Sequence, residues 1–191
     1  MTMFNDEKTT TLMQGVTNLL RVIGDDDKRE GLIETPMRVV KAQAEIFAHT
    51  GEAQFDDFKL FSTTNDADMV IVESIPFYSM CEHHLLPFFG TVDVAYVPDG
   101  QIIGLSKIPR LIEWASRRPN VQENLTHLIA SEMNRIVAPK GVAVNVTARH
   151  MCMEMRGINQ PGTQTNTAIY RGLLQTDTFL KESFTHRVNK H

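Results

Sequence analysis

Residues 91–97 read TVDVAYV and residues 142–149 read VAVNVTAR. In the first, Val92, Val94 and Tyr96 alternate with Asp93 and Ala95. In the second, Val142, Val144, Val146 and Ala148 alternate with Ala143, Asn145, Thr147 and Arg149. A period of two sends alternate side chains to opposite faces, so each stretch is predicted to be a half-buried β-strand. The apolar run Met69 to Ile75 precedes the first strand, and a further strand is expected around Thr165 to Leu174. Pro98-Asp99-Gly100 closes the first with a turn, because proline presets φ and glycine accepts positive φ.

Between the strands the period changes to that of helices. Lys107 to Arg118 places Ile108, Leu111, Ile112 and Ala115 on one face, and Leu125, Leu128, Ile129, Met133, Ile136 and Val137 make a second stripe. Asn120 is read as the N-cap of that second helix with Glu123 reaching back as a capping box, and Pro139-Lys140-Gly141 ends it. The order strand, strand, helix, helix, strand, strand predicts an α+β architecture, an antiparallel sheet with two helices on one face. The open sheet edges then need covering, and joining subunits edge to edge is one solution.

Upstream, Leu12, Val16, Leu19, Leu20 and Ile23 recur at helical spacing from Asp6 to Ile23, with Gly24 at the C-cap position. Thr35-Pro36 reads as a second helix start, running through Val39, Val40, Ala44 and Phe47 to Gly51. Glu52 to Asp68 is polar and aperiodic, a connection. The expected division is therefore a helical extension over 1–68 and a main domain over 69–191.

Composition narrows the class. Of 191 residues, 42% are hydrophobic and 22% charged, and 19 basic residues face 23 acidic ones for a net charge of −4. That excludes disordered and disulfide-scaffold classes and opposes a surface dedicated to nucleic acid. No apolar run reaches the ~20 residues that span a bilayer. The polar, acidic start Met1 to Lys8 is unlike a secretory signal, so a cytoplasmic location is expected.

The chemistry concentrates in two short segments. Ser79-Met80-Cys81-Glu82-His83-His84 sets Cys81 and His84 in a C-x-x-H spacing, which one turn can aim at a single ion. The only other cysteine, Cys152, lies in Arg149-His150-Met151-Cys152-Met153. If the strand ending near Arg149 pairs beside the first segment, two thiolates and one imidazole meet with a fourth position open, the pattern of catalytic zinc. Such an ion lowers the pKa of bound water to ~7. His83 and His150 then remain as proton-exchange groups beside the metal. Gly104-Leu105-Ser106-Lys107-Ile108-Pro109-Arg110 offers a hydroxyl, two cations and backbone N–H groups at a helix start, and Arg156 adds a guanidinium. Together they propose a polyanionic small molecule held beside the metal.

These residues carry a family resemblance. SMCEHHLLPFFG (Ser79 to Gly90), IGLSK (Ile103 to Lys107), VQENLT (Val121 to Thr126), HMCMEMRG (His150 to Gly157) and the upstream REGLIETPMR (Arg29 to Arg38) resemble GTP cyclohydrolase I. The resemblance implies a tunnelling fold, with subunit sheets joined into pentameric barrels and two pentamers stacked as a decamer, active sites lying at subunit interfaces. It implies GTP as substrate, formate and 7,8-dihydroneopterin triphosphate as products, and Zn2+ on Cys81, His84 and Cys152. Glu123 would grip the guanine edge with Gln122 beside it. Ser106, Lys107, Arg110 and Arg156 would hold the triphosphate, joined by Arg38 and Lys41 of another subunit. His83, His150 and Ser106 would be the catalytic set, His83 serving the purine steps and His150 the ribose steps.

The chain departs from the family pattern at Asn124, where arginine is usual, at Asp93, at Thr147 and Arg149, and at Asn159-Gln160. None is a proposed ligand or catalytic group. Three other readings compete. A zinc base deaminase needs a C-x-x-C that this chain lacks. A nitrile-reducing relative would lack the zinc trio. A non-catalytic nucleotide- or pterin-binding paralogue is the remaining alternative.

Overall fold

Both alternating stretches become neighbouring central strands of one sheet. The computed structural model describes residues 7–64 and 69–188. In chain order it contains α1 (Glu7–Val22), α2 (Thr35–Ile46), β1 (Leu60–Ser62), β2 (Val70–Cys81), β3 (Pro87–Val97), β4 (Gln101–Ile103), α3 (Lys107–Ser116), β5 (Pro119–Asn120), α4 (Gln122–Val137), β6 (Gly141–His150), α5 (Met151–Glu154), β7 (Gln164–Gly172), α6 (Leu173–Thr176) and α7 (Thr178–Val188). The main sheet has the order β5-β2-β3-β6-β7, and β1 pairs with β4 in a separate ribbon. Every pairing is antiparallel except β2 with β5, where Met80 faces Pro119 and Cys81 faces Asn120.

The α+β architecture is as expected, with α3 packed on β2 and α4 on β6 and β7. Phe77, Phe88, Val92, Val94, Tyr96, Val144 and Val146 of the sheet share one core with Ile108, Leu111, Ile112, Leu125, Ile129 and Met133 of the two helices. Each such side chain contributes about 1.5–3 kcal/mol on full burial, enough to fix which strand face meets the helices.

Several elements differ from the sequence expectation. The strand expected over Met69 to Ile75, β2, does not stop at Ile75 but continues to Cys81, through a bulge between Val72 and Ile75 at which Ser74 takes φ +56°. The buried Asp93 carboxylate accepts the Ser74 N–H at 2.7 Å and the Asn145 amide at 3.1 Å, which satisfies the kink. β6 is buried on both faces over most of its length, because Ala95, Val97, Ala143, Leu174 and Phe184 form a second core on the sheet's other side. The C-terminal helices α6 and α7 thus cover one end of that face.

Asn120 is not a helix cap. It lies in β5, and its amide donates to Ser79 Oγ, Ala115 O and Arg118 O, tying the site's strand to the end of α3. The position before α4 is Val121, with no side-chain cap. Likewise α2 ends at Ile46 rather than Gly51, and Thr35 turns its hydroxyl back to the Gly31 carbonyl at 3.4 Å instead of capping. Asp6, and residues 65–68 of the expected connection, lie outside the described residues.

The chain divides into two compact units, one through Ala48 and one from His49. That boundary lies upstream of the expected division at residue 68, because the polar stretch is anchored in the second unit. Phe55 packs on Trp114, its N–H donates to Glu132 at 3.0 Å, and β1 pairs with β4. In the first unit α1 packs on α2, and Arg21–Asp27 and Arg29–Asp25 pairs order the charged turn between them.

Candidate active site

Three strand ends build the site. Cys81 is the last residue of β2, held by its N–H to Leu86 O at 2.9 Å and by its pairing with Asn120. The turn Glu82-His83-His84 follows, closed by the Leu85 N–H on Cys81 O at 2.8 Å, with Leu85 at φ +50°. On the neighbouring strand pair, Phe88 of β3 faces His150 of β6, and α5 begins immediately after His150 and carries Cys152. Register alone therefore brings the two sequence segments together.

The ligand atoms of Cys81, His84 and Cys152 all lie within 4.8 Å of one another. Cys81 Sγ is 3.8 Å from Nδ1 of His84 and also 3.8 Å from Nδ1 of His83. Burial pushes the Cys152 thiol up, and the neighbouring Cys81 pushes it further. A cation between the two sulfurs removes that penalty, so two soft sulfurs and an imidazole fit a divalent metal with one position open. Both cysteines are free thiols.

His83 stands exposed beside the trio, 3.7 Å from the Glu82 carboxylate. His150 is held tightly instead. Its ring stacks on Phe88 with centroids 4.8 Å apart and planes 1° from parallel, and its Nε2 lies 2.8 Å from Gln122 Oε1. Burial lowers its pKa, partly offset by the negative charge of Glu123. Glu123 is exposed in the first turn of α4. Gln122, by contrast, is buried with its side chain turned inward, donating to Val146 O at 2.9 Å and Thr165 O at 3.0 Å.

Arg156 reaches the Cys81, His84 and Cys152 cluster directly, donating from Nη1 to His84 Nε2 at 3.0 Å. Ser106 immediately precedes α3 with its side chain exposed and unused as a cap. Lys107 and Arg110 share one partner, the Asp57 carboxylate, with Arg110 at 2.6 Å. Arg38 and Lys41 sit on α2 in the first unit, Arg38 paired with Glu34. Sequence reasoning missed Asp57 and Phe88. Asp57 is fifty residues from Lys107 in the chain, so no local spacing announces it, whereas Phe88 was readable as the apolar neighbour of His150 once register was known.

The family model described as GTP cyclohydrolase I matches residues 12–189. The chain belongs to the GTP cyclohydrolase I family. The GTP cyclohydrolase 1 of Lactiplantibacillus plantarum is 52% identical over 189 residues, covering 98% of this chain and 100% of that protein. That of Latilactobacillus sakei subsp. sakei is 53% identical, covering 94% and 96%, and that of Enterococcus faecalis 50%, covering 88% and 91%. Among solved structures, an archaeosine synthase QueF-Like in the apo form gives a TM-score of 0.46 at 17% identity, covering 56% of this chain and 97% of that one.

Among the positions that depart from the GTP cyclohydrolase I pattern, Arg149, Thr147 and Asp93 have structural roles of their own. Arg149 donates to Glu154 at 2.8 Å, and Glu154 in turn accepts the Gly162 N–H at 3.2 Å, pinning the loop after α5. Thr147 accepts from Asn166 at 2.8 Å, and Asp93 satisfies the β2 bulge. Asn159 adopts φ +51°, a conformation asparagine tolerates better than most residues. Nothing in the structure explains Asn124.

Proposed function

We propose that this protein converts GTP and water to formate and 7,8-dihydroneopterin triphosphate, the entry reaction to tetrahydrofolate-type pterins. The observation that carries the reading is the convergence of Cys81, His84 and Cys152 beside His150 in a chain of this family. Cys81, His84 and Cys152 would hold zinc, which supplies, when bound, Lewis acidity and a water acidified enough to attack at neutral pH.

The chain's own residues do the rest. The Glu123 carboxylate accepts from guanine N1–H and the exocyclic amine together, so adenine, which lacks that donor pair, leaves the carboxylate unmet and is rejected. Ser106, Lys107, Arg110 and Arg156 hold the triphosphate, with Arg38 and Lys41 contributed by a neighbouring subunit. His83 moves protons during opening of the purine imidazole, N7 being the atom that must gain one. His150 moves protons during ribose opening, rearrangement and reclosure. Ser106 assists at the same end of the substrate. The assembly is a decamer of two pentamers, located in the cytoplasm; among the described residues no helix is long and apolar enough to cross a membrane.

The alternative is a paralogue that binds nucleotide or pterin without turning it over. Turnover separates the two: zinc-loaded protein given GTP releases formate, loses that activity to a chelator, and regains it with zinc. Protein that binds zinc and GTP but releases no formate would establish the binding paralogue instead.

A further inference from the structure

Gln122 is only 2% exposed, and every polar atom of its side chain is committed. Its Nε2 faces Val146 O at 2.9 Å, Thr165 O at 3.0 Å and Thr167 Oγ1 at 3.2 Å. Two of these are backbone carbonyls, which only accept. Turning the amide over would set Oε1 against both carbonyl oxygens, so the nitrogen must be where it is.

The neighbouring hydroxyls agree with that orientation. Thr126 Oγ1 donates to the backbone carbonyl of Gln122 at 2.8 Å, so in its 2.6 Å contact with Thr167 it must accept. Thr167 therefore spends its proton on Thr126, and its lone pair shares one of the two Gln122 Nε2 hydrogens with a backbone carbonyl. One consistent set of protons runs through the cluster.

With the amide fixed, Oε1 can only accept, and it lies 2.8 Å from His150 Nε2. That nitrogen must carry the hydrogen. The parallel stack on Phe88 fixes the plane of the ring, and Nδ1 has no hydrogen-bond partner among the described residues.

We propose that Gln122 is a positioning residue for His150, holding the ring as its Nε2–H tautomer so that the Nδ1 lone pair is the one available to a bound ligand. This departs from a role for the Gln122 side chain on guanine. The part concerning substrate rests on the function proposed above, whereas the tautomer itself does not.

The test reads the tautomer without substrate. Zinc-loaded wild-type protein is labelled with 15N-histidine and its solid-state NMR spectrum recorded at pH 8, with His150→Gln identifying the His150 signals. The expected result is a protonated Nε2 and a bare Nδ1. A bare Nε2, or a doubly protonated ring, would overturn the assignment whether or not the protein turns over GTP. In Gln122→Met, which keeps the length but can neither donate nor accept, His150 should become a tautomer mixture. Where GTP is turned over, kcat should fall by about tenfold or more while KM changes less than about threefold. A loss confined to KM, with the His150 spectrum unchanged, would return Gln122 to guanine binding and overturn the proposal. If Gln122→Met fails to fold, the wild-type spectrum decides alone.

Discussion

Asp57 accepts a hydrogen bond from Arg110 Nη1 at 2.6 Å, and its other carboxylate oxygen pairs with Lys107. Lys107 first and Arg110 second hold the Asp57 carboxyl below its ordinary range. The two cations proposed for triphosphate thus already carry a counter-charge from within the chain, and a phosphate must displace it. All three groups reach solvent, so the competition is modest and screened by salt. Asp57→Asn should tighten binding of GTP and of inorganic triphosphate by about two- to fivefold at low ionic strength, with the difference shrinking at high salt. Calorimetric titration of both proteins at two salt concentrations checks this; weaker binding by the variant would show that Asp57 organises the cations rather than competing for them.

Cys152→Ala removes one of two sulfurs from the proposed three-donor metal site. The remaining Cys81 and His84 cannot hold zinc against dialysis, so metal content and turnover should fall together to near background. Metal analysis beside an activity assay reads both. Full zinc content in an active Cys152→Ala protein would contradict the three-ligand site.

Gly90 is a site of close approach between strands. A Cβ there would lie 1.9 Å from Thr147 O and 2.8 Å from Ala148 Cα, both backbone atoms of the facing strand. The β3–β6 pair cannot yield without moving Phe88 and His150, which face each other in the same ladder. Gly90→Ala should therefore lower Tm by roughly 5 °C or more and reduce activity beyond the loss of folded protein. Thermal unfolding and activity per folded molecule would show it, and a variant with wild-type Tm would contradict this packing.

Glu132 gives the acid limb of stability. Burial alone would raise its carboxyl, but the Arg135 guanidinium and the Phe55 N–H outweigh burial and leave it below its ordinary value of 4.5. A depressed folded pKa stabilises above the unfolded pKa and is lost as pH falls through the folded value. Glu132→Gln should thus lower Tm at pH 7 by roughly 5 °C, with the gap closing as pH drops below 4.5. A gap that persists unchanged at pH 3 would mean that packing, not ionisation, carries the contribution.

Much of this arrangement was legible from the chain because it depends on periodicity. The period-two runs at 91–97 and 142–149 and the stripes of α3 and α4 each bury one face, and burial of that face decides their placement. What escaped was set by partners distant in sequence. β2 looked finished at Ile75 because Ser74 and Pro76 interrupt the alternation. The strand continues because Asp93 satisfies the Ser74 kink, and because Pro76, lacking an N–H, lies where β2 has only one neighbouring strand. Asn120 read as a cap because its type suits one, yet Ser79 and Ala115 compete for its amide. The cluster of Cys81, His84 and Cys152 was readable as residue types and spacing, while its closure needed the Phe88–His150 register. Gln122 carried no local signal of its inward role, which depends on β6 and β7 carbonyls.

Zinc-loaded protein given GTP, followed for formate and dihydropterin in the same reaction, reads both halves of the proposed conversion at once. Both products should form in equal amounts, since Cys81, His84 and Cys152 lie beside His83 and His150, the groups proposed for the two halves of the conversion. Formate without pterin would contradict the assignment of the ribose steps to His150, and neither product from protein holding zinc and GTP would contradict the enzyme itself.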